Sequence, residues 1–273
     1  MNADDFGLDP GINRGIEEVC LAGTVRSVSL VATGGAFDDA VERLPRMPGV
    51  GVGIHLCLVG ERSVLSQEKI PSLVDEGDRF PEGYSGFLLR WWRRRISSAD
   101  IAQELEAQFL KILAYGVRLT HADGHQYLHL IPGVLEIVIG LCKKYGVKWI
   151  RYPRRIERGC PASLGAAAKK LAQAALAPSQ VKRMADAGIR GPDRSLGFLE
   201  SGRLDARRMS RLLGQAEAGI NDLTVHPGHG PRSKRYVSGN FHRERELAVL
   251  KDEAIMHFVR EAGITVGNYA ERS

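Results

Sequence analysis

The sequence predicts an α/β fold whose parallel strands close, or nearly close, into a TIM-like (β/α) barrel. Three observations carry this. Short β-rich apolar runs alternate with longer helical ones, turn residues separate them, and a chain of 273 residues suits one such barrel. The run 24–33 (TVRSVSLVAT) reads as a strand, followed by Gly34-Gly35 and a helix near 36–44. The next strand is 50–58 (VGVGIHLCL). A helix over 98–115 places Ile101, Leu105, Phe109, Ile112 and Leu113 on one face, and Ser97 with Asp100 offers a capping box before it. A short strand at 119–123 precedes a helix from Pro132 to about Tyr145, ended by Gly146. The remaining elements are a strand at 148–152, helices at 204–218 and 243–262, and strands at 222–226 and 264–269. The chain is read as one domain, 1–273, with insert-length segments at about 60–96 and 154–203, the second holding a helix near 162–176.

Composition narrows the class. Hydrophobic residues are 44% and charged residues 26%, which excludes general disorder. No apolar run approaches the ~18 residues a membrane span needs, and no leader of the secretory kind opens the chain. Cys20, Cys57, Cys142 and Cys160 lie far apart, with no C-x-x-C pair. They read as buried thiols of a reducing compartment, so a cytoplasmic protein is expected. The net charge of +6 permits anionic partners without showing one. Trp91-Trp92-Arg93-Arg94-Arg95 reads equally as a packed Trp pair beside a solvated run or as a contact for a membrane surface or nucleic acid.

Polar groups of one chemical kind end several strands. They are Asn2-Ala3-Asp4-Asp5-Phe6-Gly7, Gly53-Ile54-His55, Thr120-His121-Ala122-Asp123-Gly124-His125 with His129 beyond it, and Val225-His226-Pro227-Gly228. In a parallel sheet the C-terminal strand ends converge, and carboxylate plus imidazole from separate strands makes a divalent-metal ligand set with room for water. Adjacent Asp residues point opposite ways from an extended backbone, so one can bind the metal while its neighbour acts as base. Each has a plainer reading too. Asp-Asp is usually a turn or cap, His55 in an apolar run is usually a satisfied core histidine, and His226 before Pro-Gly fits an ordinary turn. His121, His125 and His129 would stack on a helix, but the Glu of H-E-x-x-H is absent. Gly49, Gly51 and Gly53 precede no helix and fail the dinucleotide fingerprint, Gly34-Gly35 is more often a tight turn than a phosphate cradle, and no G-x-S-x-G is present.

NADDFG near the start, GIHL in the second strand, the TH-A-D-G-H segment with a later His, and a late VHP together resemble the YdjC-like carbohydrate deacetylases, over nearly the whole chain. The stretches IPSLVDEGDRF, ELEAQF and Arg-Tyr-Pro-Arg at 151–154 look closest to the hopanoid-biosynthesis-associated branch. The resemblance implies a barrel deacetylase that removes N-acetyl groups from an amino sugar, here N-acetylglucosamine on a hopanoid lipid. It implies Asp5, His55 and His125 as ligands of one divalent metal, Mg2+ or Zn2+. It further implies Asp4 as general base, His226 as acid or oxyanion partner, and His129 and Arg151 lining the site. It also implies a homodimer, and a peripheral contact with the inner membrane through the Trp-bearing insert, with no nucleic-acid partner. Family members place a hydrophobic strand before NADDFG, whereas only Met1, Asn2 and Ala3 precede Asp4 here. The first strand is therefore expected to be missing or truncated, with the true start lying upstream. The alternatives are another metal-dependent barrel hydrolase, phosphoesterase-like and using Arg151 and Arg154 as a phosphate cradle, and a non-catalytic basic module for membrane or nucleic acid.

Overall fold

The computed structural model describes residues 1–152, 154–159, 164–233, 236 and 241–272. The strands are β1 Asn2–Phe6, β2 Ser27–Leu30, β3 Gly51–Leu56, β4 Leu119–Gly124, β5 Arg194–Leu196 and β6 Asn221–Val225. The helices are α1 Pro10–Leu21, α2 Phe37–Arg43, α3 Gly83–Trp92, α4 Ser98–Leu113, α5 Val134–Lys144, α6 Leu164–Asp186, α7 Ala206–Leu213, α8 Arg243–Leu250 and α9 Glu253–Glu261. The strands form one sheet in the order β4-β3-β2-β1-β6-β5, and every pairing is parallel.

The sheet curls strongly. Single parallel bridges carry it past β4, from Ala122 to Ile150 and from Trp149 to Arg190. From the 149–150 segment to β6 there are five strand spacings, about 24 Å if the sheet were flat. Yet Arg151 Nε lies 2.6 Å from the Asp222 carboxylate of β6. An arginine side chain spans only a fraction of that, so the sheet must turn back on itself around a shared interior. The ladders join six strands, and the closing connections are isolated bridges. The result is a curled parallel sheet, a half-barrel, where a closed or nearly closed TIM-like barrel was expected. The 148–152 segment contributes bridges and no strand.

The first strand is present, contrary to expectation. NADDF is itself β1, and all five of its residues are buried. It is paired on both sides, Asn2 and Ala3 with Ser27 and Val28 of β2 and with Thr224 and Val225 of β6.

Other boundaries moved for local reasons. The expected helix 243–262 is two, because Asp252 leaves the helical region and its carboxylate caps α9 by accepting from Ala254 N at 2.9 Å. The expected strand 264–269 is irregular. Asn268 donates to Gly49 O, and a 3₁₀ turn, Tyr269–Arg272, follows. At α4 Ser97 caps Ala99 N, but Asp100 turns away to accept from Ser72, so the capping box is half made. α1 was not foreseen because Gly11 and Gly15 dilute its apolar period, although Asp9 caps it. The helix expected near 162–176 is longer, and residues 162 and 163 lie outside the described residues, as does Cys160. Cys20, Cys57 and Cys142 are free and buried, as expected of reduced thiols.

Gly34-Gly35 is a tight crossing and no open cradle. A Cβ on Gly34 would stand 2.1 Å from Gly7 O, whereas one on Gly35 would meet nothing nearer than 3.9 Å. Gly34→Ala is therefore expected to force the two loops beside β1 apart and lower the urea midpoint by the equivalent of about 1–3 kcal/mol or more. Gly35→Ala should stay within about 0.5 kcal/mol of the parent. Equal midpoints for the two variants would show that the crossing is not as tight as described.

Candidate active site

The residues that end the strands meet at one cavity of about 500 Å³, lined among others by Asp4, Asp5, His55, His125 and His226. β1 delivers two of them by breaking its own alternation. Its register shifts between Ala3 and Phe6, and Asp5 adopts φ 70°. In a regular strand Asp4 and Asp5 would face opposite sides. The irregularity turns both carboxylates into the same cavity, at the conformational cost a non-glycine residue carries in the left-handed region.

Asp4 is held from two sides. Asn2 Nδ2 donates to its Oδ1 at 2.8 Å, and Arg151 Nη1 donates to its Oδ2 at 2.7 Å. Asp5 presents Oδ1 to His125 Nδ1 at 3.2 Å and to His55 Nε2 at 3.7 Å, while Oδ2 accepts from Arg243 Nη2 at 2.5 Å. Burial pushes the Asp5 carboxyl up, but Arg243 and His125 outweigh it and hold it well below the usual carboxylate range. His55 comes from β3, and its Nδ1 pairs with Asp123 Oδ1 at 2.7 Å, which aims Nε2 at Asp5. Burial opposes a charge on His55, yet the Asp123 carboxylate beside it raises the imidazole to about 9. His125 opens a 3₁₀ turn after β4 and sets its ring edge-on to His55, with centroids 5.5 Å apart.

The donor atoms of Asp5, His55 and His125 all lie within 4.8 Å of one another. Atoms bound at 2.0–2.2 Å to one cation stand roughly 3–3.5 Å apart, so the set needs only a small contraction. Charge points the same way. Four buried carboxylates, Asp4, Asp5, Asp123 and Asp222, face two buried guanidiniums, Arg151 and Arg243. Glu61, also buried, lines the same cavity, so a divalent cation would offset part of this negative excess, as His55 partly does here by its raised affinity for a proton. Asp4, His55 and Asp123 form a second cluster, but Asp123 is fully buried and already bonded to Ser29, His55 and Arg151, so it has no face towards the cavity.

His226, at the end of β6, has Nε2 3.9 Å from Asp4 Oδ2 and 3.4 Å from Ser201 Oγ. Burial pulls its imidazole down to about 4, so the ring is neutral at pH 7. His129 and Arg151 do not line the cavity and sit behind it. His129 Nε2 bonds to Arg151 O at 2.9 Å, and Arg151 reaches Asp4, Asp123 and Asp222 with its three nitrogens. His121, His125 and His129 share no helix face. His121 points into the interior beside Ser29, where Gly53 leaves the space its ring occupies. Arg154 is exposed, away from this cavity.

The spacing of motifs did not expose two further residues. Arg243 opens α8, where a cation meets the positive end of the helix dipole. That unfavourable placement was the available signal. Its Nε and Nη1 are buried without a hydrogen-bond partner among the described residues, and the side chain lines the cavity. Glu246, one turn on and fully buried, accepts from His226 N at 2.7 Å and Leu204 N at 3.0 Å. Burial raises it to about 7 against those two bonds.

Comparison with known proteins places these residues in context. Residues 1–261 match the family model described as YdjC-like protein. A carbohydrate deacetylase of Thermoanaerobacter pseudethanolicus is 26% identical over 275 residues, covering 99% of this chain and 97% of its own. The carbohydrate deacetylase of Mus musculus is 34% identical over 298 residues, covering 97% and 91%. A crystal structure of an Enterococcus faecalis protein described as a candidate cellobiose-phosphate cleavage protein superposes with a TM-score of 0.79 at 24% identity. It covers 100% of this chain and 97% of its own, a likeness of fold.

Glu246 gives a pH test. Its folded value near 7 exceeds the ordinary 4.5, so the folded protein binds the extra proton. Its stabilising contribution is complete below about pH 4.5 and declines as pH rises towards 7, after which it is constant. Glu246→Gln should remove that part of the slope of stability against pH, and Glu246→Ala should strand two buried N–H groups at about 1–3 kcal/mol each. A Gln variant with the parent's slope between pH 4.5 and 7 would show that another group titrates there.

Proposed function

The chain belongs to the YdjC-like protein family, and from that premise we propose that it is a carbohydrate N-deacetylase acting on an amino sugar. The observation that carries the reading is the convergence of Asp4, Asp5, His55, His125 and His226 on one cavity. The lining is otherwise partly apolar and aromatic, with Leu8, Val59, Tyr127, Phe198 and Phe241, the last edge-on to His226. Such a lining suits a sugar ring carrying an apolar aglycone, and N-acetylglucosamine on a hopanoid lipid is the substrate proposed.

In this reading Asp5, His55 and His125 hold a divalent cation, Mg2+ or Zn2+. When bound, it polarises the acetamide carbonyl and makes a water molecule acidic. Asp4, fixed by Asn2 and Arg151, takes the proton of the attacking water. His226 is neutral at rest and stands beside Asp4. It therefore accepts that proton and passes it to the nitrogen of the departing amine as the C–N bond breaks. Arg243 orients Asp5 and offers its free N–H groups to the acyl oxygen or a sugar hydroxyl. Acetate and a free amino sugar are the products. A phosphoesterase is disfavoured because the two residues that reading needs as a cradle do not serve it: Arg151 is committed to three carboxylates and Arg154 lies outside the cavity.

The test is acetate release from an N-acetylglucosaminyl lipid and from acetylated chitobiose, after chelation and metal add-back. Asp4→Asn should retain metal stoichiometry and lose turnover by about 10²–10⁴-fold. His55→Ala should lose bound metal and activity together. Full acetate release by Asp4→Asn would overturn the role of the base, and release that ignores chelation would overturn the metal.

A further inference from the structure

Residues 89–95 read Leu-Arg-Trp-Trp-Arg-Arg-Arg. They end α3, and the helix divides them between two faces. Phe87 is fully buried, Trp91 stacks on it with centroids 6.3 Å apart, and Trp91 also packs on the backbone at Gly133. This inner face needs no further partner. Ser85, Leu89 and Trp92 recur at i, i+4 and i+7 on the outer face, where Leu89 is 51% and Trp92 is 89% exposed.

The helix stops directly after Trp92. Arg94 turns into the left-handed region at φ 54°, and its N–H returns to Trp91 O. The turn lays Arg93, Arg94 and Arg95 out beside Trp92, all three exposed. None of the three pairs with a carboxylate among the described residues. A nearly bare indole, an exposed leucine and three uncompensated guanidiniums thus share one small surface.

That combination selects the partner. Indole and leucine gain by leaving water, and the guanidiniums gain from a dense negative surface. Indole rings settle at the headgroup level of a bilayer, and basic residues beside them add attraction to anionic lipids. Nucleic acid would use the arginines but offers nothing to Leu89. We propose that Leu89, Trp92 and Arg93 to Arg95 dock the protein on an anionic lipid bilayer. The helix that carries them begins at the cavity, since Glu82 and Gly83 line it. Nine residues at 1.5 Å each put Trp92 about 14 Å from Gly83 along the axis, so the docked protein holds its cavity mouth near the membrane surface. Docking rests on α3 alone and does not depend on the deacetylase reading.

The full chain is tested by co-sedimentation with vesicles of phosphatidylcholine and with vesicles of equimolar phosphatidylcholine and phosphatidylglycerol. The anionic vesicles should pellet the protein, the neutral ones should not, and added salt should release it. Leu89→Ala with Trp92→Ala should weaken binding by about 10-fold or more. Arg93→Gln with Arg94→Gln and Arg95→Gln should weaken it by about 10²-fold, from roughly one decade or less per arginine. Both variants are confined to exposed side chains, so thermal unfolding and acetate release from soluble chitobiose should match the parent. No pelleting by anionic vesicles would overturn the proposal, as would equal pelleting of parent and variants. Tighter binding to single-stranded oligonucleotide than to anionic vesicles would also overturn it. Vesicle binding by a protein that releases no acetate would leave docking standing and sink only the deacetylase reading.

Discussion

One guanidinium organises the interior. Arg151 lies beyond β4 yet forms ion pairs with Asp4 of β1, Asp123 of β4 and Asp222 of β6, so its three nitrogens tie together strands that a flat sheet would hold far apart. Burial alone would pull the guanidinium down, but the three carboxylates outweigh it and raise it well above its ordinary value. A buried ion cluster of this kind is poor evidence of net stability, since desolvation consumes much of the Coulomb gain. Its effect is geometric. With Arg151 in place, Asp4 has one orientation, Asp123 has one orientation, and through Asp123 so does His55.

The polar interior follows from that constraint. The inward faces of β1 to β4 and β6 carry Asn2, Asp4, Ser29, His55, His121, Asp123, Asp222 and Thr224, all buried. Ser29 Oγ donates to Asp123 Oδ2 at 2.6 Å and accepts from Asn2 Nδ2 at 2.8 Å, so neighbouring strands share one hydrogen-bond network below the cavity. The apolar core is displaced to the outside of the sheet, where α1 brings Ile12, Ile16 and Val19 and α4 brings Ile101, Leu105, Phe109 and Ile112. The sheet is therefore packed by helices on its convex side and filled by a buried polar lattice on its concave side.

Much of this was legible in the sequence. Elements with strong apolar periodicity, such as α4 and α5, appear within a few residues of their expected limits, because burial of one face dictates their period. Asp4, Asp5, His55, His125 and His226 were legible as a set because each stands where a strand ends. Three things were not. NADDF reads as a loop motif, since its polar pair hides a strand whose partners on both sides lie tens to hundreds of residues away. The curl of the sheet depends on pairings across single bridges, which leave no periodic trace. Arg151 was legible as a site residue but not as a buried ion centre, and Arg243 was legible only as the start of a helix. In both cases the partners come from distant segments, which no local pattern encodes.

The break in β1 has a mechanical consequence. Asp4 and Asp5 are joined by one trans peptide, so their Cα atoms stay about 3.8 Å apart whatever the surrounding loops do. Opening of the cavity rim, shifting of α3 or rotation of α8 can move His125, His226 or Arg243 relative to one another. None of these motions can change the spacing of the two carboxylate-bearing backbones. The pair behaves as a rigid bracket within an adjustable frame. Any tuning of this cavity, by evolution or by design, therefore acts through the histidines and arginines around it, while the bracket can be altered only by rebuilding the strand.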